Sequence, residues 1–198
     1  HYTNALGTDL TVELPEGHFW AGGAERCVTS GVLFSANIPS EEVFTLPVKT
    51  GVNGIVYASK PLSLHGNLIE DFGFELKAGK IVRVFAKTGE EVLKKAIAVD
   101  EGASYLGEVA LVPYDSPISN SGILFYNTLF DENAACHFAF GEAYPCIAGA
   151  EQMSREELTA RGMNDSMTHV DFMVGTEDLQ ITGVTKGGEE VAVFRNGN

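Results

Sequence analysis

Apolar and polar positions alternate with a period of two along most of the chain, which predicts β-strands with one buried face. Leu10, Val12 and Leu14 alternate within residues 9–14, and Pro15-Glu16-Gly17 turns the chain after them. From Gly54 to Phe85 the pattern is insistent: strands over 55–57, 62–64, 68–76 and 81–85 are punctuated by Pro61, Gly66 and Ala78-Gly79. Residues 75–81 read as the turn of a hairpin. Short apolar runs at 32–36 and 43–46 predict two more strands, and 179–184 with 191–194 predict a closing hairpin through Lys186-Gly187-Gly188-Glu189. The spacing turns helical in few places. Thr88-Gly89-Glu90-Glu91 has the capping-box form ahead of Val92, Leu93, Ala96 and Ile97, predicting a helix over about 89–100. Ser154-Arg155-Glu156-Glu157 opens a second helix to about Arg161, and a helical turn feeds a strand within 127–141. The expected fold is α+β: mainly β-sheet with a few short helices.

Chemistry enters at the strand ends. In residues 166–175, His169 and Asp171 are two apart and share a strand face, while Val170 and Phe172 point the other way. That is half of a divalent-metal site, or a His–Asp pair satisfying itself on a half-buried strand. Glu108 stands inside the apolar strand 107–112, where burial without a cation partner is costly. Glu41 and Glu42 precede the run 43–46; a helix start with Ser40 as N-cap competes, but Val43 occupies the position a capping box needs for Glu. His137 stands at the junction of helical turn and strand, near Glu132, and Tyr144 follows seven residues later. Glu42, Glu108, Glu132, His137, His169 and Asp171 together exceed what one zinc needs and suit two divalent ions bridged by a carboxylate.

Composition narrows the classes. A length of 198 residues with 44% hydrophobic and 10% aromatic side chains fits one domain with a real core. Thirteen basic against 27 acidic residues, a net charge of −14, argues against nucleic acid or an anionic membrane surface as partner. No apolar run approaches the ~20 residues of a membrane span, and no basic-then-apolar leader opens the chain; a cytoplasmic protein is expected. Cys27, Cys136 and Cys146 form no Cys-x-x-Cys pair, so neither a disulfide framework nor a cysteine-rich zinc site is expected. Cys136 and His137 are neighbours on a strand and face opposite ways, which counts against a Cys/His nucleophile. Phosphate-binding loops, a Gly-x-Ser-x-Gly elbow and His-Glu-x-x-His are all absent.

Four ordered blocks carry a family resemblance: residues 37–45, 107–112, 129–141 with Tyr144, and 169–175. Together they resemble the M29 metallo-aminopeptidases, the aminopeptidase T family whose members are also called AmpS and PepS. The resemblance implies an exopeptidase using two divalent ions, zinc or cobalt, to release N-terminal amino acids from peptides. It implies Glu42, Glu108, His137, His169 and Asp171 as metal ligands, Glu132 as an acid near the second metal, and Tyr144 as the group stabilising the tetrahedral intermediate. Glu41 is then the candidate general base. Members of the family are about twice as long, with an α/β domain ahead of the matching region. Residues 1–198 are accordingly expected to be the C-terminal catalytic domain, without that N-terminal domain, of a homodimeric enzyme. A β-rich binding or dimerisation fragment, inactive alone, and a two-metal amidohydrolase acting on non-peptide amides are the competing readings.

Overall fold

The computed structural model describes residues 1–36 and 38–198; Asn37, the first residue of the family-like block 37–45, lies outside the described residues. Two antiparallel sheets share one core. The larger has eight strands: Glu190–Phe194, Gln180–Val184, Tyr2–Thr3, Asp9–Val12, Val52–Tyr57, Asn67–Lys77 and Leu62–Leu64 in spatial order, with Lys80–Thr88 also paired to Asn67–Lys77. The smaller runs His169–Met173, His137–Gly141, Leu106–Leu111 and Val43–Thr45. A ribbon of Glu25–Arg26 and Leu33–Phe34 stands apart. With helices as short as Glu90–Ala96 and Arg155–Ala160, the fold is α+β and mainly sheet.

The smaller sheet explains where everything else must go. Paired residues of neighbouring strands present their side chains to the same face. Glu108 pairs with Ala139, and Ala139 with Asp171; Ala110 pairs with His137 and with Phe44, and Gly141 with His169. One face therefore carries the carboxylates and imidazoles over a floor of small residues, Ala110, Ala139 and Gly141. The residues between them, Val109, Phe138, Phe140, Val170 and Phe172, turn to the other face and are buried in the common core. There Phe172 meets Phe74 with ring centroids 5.0 Å apart and Phe138 meets Tyr2 at 5.0 Å, locking the smaller sheet onto the larger.

Several expectations shift. Thr88 is not a helix N-cap: it is the last residue of its strand, paired with Glu70, and Gly89 in the left-handed region (φ 81°) starts Glu90–Ala96 without a side-chain cap. The sheet ladder holds Thr88 extended, so Glu90 accepts instead from the Ala86 N–H at 3.3 Å. The Ser154 capping box does form, with Ser154 Oγ accepting from the Glu157 N–H and the Glu157 carboxylate from the Ser154 N–H. The run 32–36 yields only the exposed strand Leu33–Phe34. Pro113–Pro117 leads into a short helix, Pro117–Ser121, that its turn chemistry did not announce. Ala78 and Gly79 both take positive φ (47° and 79°), the twist-matched geometry of a tight hairpin.

Phe172→Ala should destabilise the chain by about 3–5 kcal/mol, because the aromatic joint between the sheets cannot collapse around the void. Urea unfolding checks this; a loss below about 1 kcal/mol would mean the joint does not hold the sheets together.

Candidate metal centre

Five of the six predicted metal-site residues are delivered by the smaller sheet, and Glu132 by the short helical turn Glu132–Ala134 ahead of His137. Glu42 immediately precedes Val43–Thr45, Glu108 lies within Leu106–Leu111, His137 opens its strand, and His169 and Asp171 start theirs. Glu108 is 5% exposed, His137 1% and Asp171 8%, so none sits at a solvated strand end. They form two groups that meet at Glu108: Glu42, Glu108 and His137 in one, Glu108, His169 and Asp171 in the other, the donor atoms of each group lying within 4.8 Å of one another. Glu108 Oε1 is 3.4 Å from His137 Nε2, and its Oε2 is 3.7 Å from His169 Nε2. Asp171 Oδ1 lies 3.2 Å from His169 Nε2.

Both imidazoles are oriented in the same way. His137 Nδ1 is 3.0 Å from the Ala135 carbonyl and His169 Nδ1 is 2.8 Å from the Glu142 carbonyl. An N–H at Nδ1 donating to each carbonyl leaves Nε2 as a lone pair aimed at the carboxylates, the arrangement usual for metal-binding histidines. His137 Nε2 stands 2.9 Å from Glu42 Oε2, and among the described residues neither buried atom has another hydrogen-bond partner. With His137 neutral these are two acceptors buried face to face, and only a positive charge between them, a proton or a cation, relieves them. These residues fit a divalent cation.

The electrostatics agree. Burial opposes a charge on His137, but the Glu108 and Glu42 carboxylates outweigh it and hold the ring well above its ordinary pKa. Burial likewise opposes charge on His169, and Asp171 beside it lifts its pKa to about 9. Glu108 is raised by burial, against the pull of His137. Glu132 is raised to about 8 by burial and then by the charge of Asp171. Burial would raise Asp171 too, but His169 keeps it below its usual value. Carboxylates outnumber the cations available, so the cluster draws in protons or ions.

A cleft of about 450 Å³ opens onto the cluster, lined by Glu42, Glu108, Glu132, His169, Asp171 and Tyr144, with Phe44 and Leu129 as apolar wall. Tyr144, 55% exposed, lays its ring edge-on to His169 at 5.6 Å and packs on Phe44 at 5.8 Å. Burial and then the Glu108 carboxylate raise its pKa, keeping its hydroxyl a donor. Glu41 is not among the residues lining the cleft; its backbone N–H donates to Asn133 Oδ1 at 2.7 Å. A larger cavity, about 920 Å³, lies on the opposite face against Val109 and Leu111 and holds none of the predicted site residues. All three cysteines are free, and Cys136 is buried in the common core, away from the face that carries His137. Sequence reading missed Asn133, Glu142 and Arg155, whose partners lie on distant segments with no local spacing to mark them.

The model of the thermophilic metalloprotease family M29 matches residues 1–198. Aminopeptidase AmpS of Bacillus subtilis (strain 168) is 58% identical over 199 aligned residues, covering 100% of this chain and 48% of that protein. Aminopeptidase T of Thermus aquaticus is 50% identical, covering 96% and 46% respectively. A solved structure, wild-type AmpT from Thermus thermophilus, superposes with a TM-score of 0.91 at 46% identity over 100% of this chain and 48% of that one. The chain thus spans about half the length of the curated relatives it matches. A family model that matches end to end, with relatives this similar on both sequence and fold, leads to one conclusion: this chain belongs to the thermophilic metalloprotease family M29.

Proposed function

We propose that this chain is the metal-holding domain of a two-domain, homodimeric aminopeptidase acting on peptides with a free N-terminus. The observation that carries the reading is the pair of three-residue groups meeting at buried Glu108, with acceptor atoms left facing each other. Glu42 and His137 would hold one divalent ion, His169 and Asp171 the other, and Glu108 would serve both. Imidazole with carboxylate suits zinc or cobalt. When bound, such ions polarise a scissile carbonyl and lower the pKa of a water.

The chain's own groups do the rest. The acidic cleft draws in a cationic α-amine. Tyr144 donates its hydroxyl to the oxygen of the carbonyl as charge develops there. Proton transfer from the attacking water to the leaving amine is assigned to Glu132, which lines the cleft where Glu41 does not. Phe44 and Leu129 offer an apolar wall to the substrate. The relatives, named as aminopeptidases, support peptides as the substrate class.

Cobalt titration of the chain, purified without chelator, should saturate at two ions; fewer than one, not restored by zinc, overturns the reading. In the two-domain enzyme carrying this domain, Tyr144→Phe should lower kcat by about 10²–10³ with metal content unchanged. Loss of metal in that variant would place Tyr144 among the ligands. Activity on amino-acid anilides should vanish when the α-amine is acetylated; persistence would favour a non-peptide amidohydrolase.

Without metal, pH should tell. His169, raised from 6.5 to about 9, contributes stability that is complete below 6.5 and lost as pH rises through about 9. Glu132, raised from 4.5 to about 8, acts in the same direction. Urea unfolding of the chelated chain should therefore show stability falling between about pH 4.5 and about 9, less so with zinc, which replaces the protons. A flat or rising profile would contradict the charge balance derived for the cluster.

A further inference from the structure

The Glu142 carbonyl, which orients His169, belongs to a loop residue tied down through its N–H and its carboxylate. Gly107 makes room for it: a Cβ there would stand 2.2 Å from that oxygen. The Glu142 N–H donates to the Thr168 carbonyl at 2.6 Å, tying the residue to the segment that leads into His169. Its carboxylate accepts from the Ser166 N–H at 2.7 Å and from Arg155 Nη2 at 2.8 Å. Arg155 also donates to Asp165, through Nε at 2.9 Å and through Nη2. One guanidinium therefore spans the two segments, 141–142 and 165–168, whose separation sets the distance from the Glu142 carbonyl to His169 Nδ1. Arg155 is itself fixed as the first residue of a helix with a complete capping box.

We infer that Arg155 is a positioning residue for His169, acting through Glu142, and that it supports one half of the metal centre and not the other. The inference rests on the two-ion reading above. His137 owes its orientation to the Ala135 carbonyl, and the Glu42 segment is held by Asn133 through the Glu41 N–H; neither contact involves Arg155. Because Arg155 acts through a backbone carbonyl, its loss leaves every ligand atom in place and only loosens the ring that presents one of them. A fork-shaped donor that satisfies two carboxylates at once is something Lys can replace only in part.

Cobalt titration followed by its visible absorption, on the full chain and on Arg155→Gln and Arg155→Lys, tests this. In Arg155→Gln one of the two dissociation constants should rise about tenfold and the other stay within about twofold, with Arg155→Lys in between. The thermal midpoint of the chelated Gln variant should stay close to that of the parent, since Arg155 is half exposed. Equal weakening of both ions would show a general structural role and overturn the inference, as would two unchanged constants. An unaltered chain that binds fewer than two cobalt ions would instead overturn the two-ion reading itself, a failure visible before any variant is compared.

Discussion

Glu42, Glu108, Glu132 and Asp171 crowd one face of a four-stranded sheet with His137 and His169, and burial there makes every uncompensated negative charge expensive. Positive charge is the demand the rest of the structure answers to. Protons answer it in part: the imidazoles are pushed up in pKa, and Glu108 and Glu132 with them, while Glu42 Oε2 and His137 Nε2 have no other partner among the described residues. A protein that folds around such a cluster holds it together by packing elsewhere.

That packing is the other face of the same sheet. Strand alternation sends Phe138, Phe140 and Phe172 into the aromatic joint with Phe72 and Phe74, while Ala110, Ala139 and Gly141 keep the functional face low. The period of two that builds the core thus also sorts the ligands onto one side. Glycine at 107 admits the Glu142 carbonyl at the bulge beside Glu108, so a backbone irregularity in one strand serves a histidine in another.

Much of this was legible locally. His169 and Asp171 sit two apart on a strand, Glu108 is an acid in an apolar run, and the Ser154 box and the hairpin turns follow from their own residues. What local reading could not supply is pairing between strands far apart in sequence. Glu42 and Glu41 look alike until Phe44 is paired with Ala110, which places Glu42 in phase with the cleft. Asn133 reaches Glu41 across 92 residues, and Arg155 bridges Glu142 and Asp165 from a helix whose sequence announces only its cap. Thr88 fails for the opposite reason: its local signal is sound, and the neighbouring strand overrides it.

Crystals of this chain soaked with cobalt and measured at the metal's absorption edge test the sharing of Glu108 most directly. The expected result is two anomalous peaks, one on the Glu42–His137 side of Glu108 and one on the His169–Asp171 side. A single peak, or none within reach of Glu108, would contradict it.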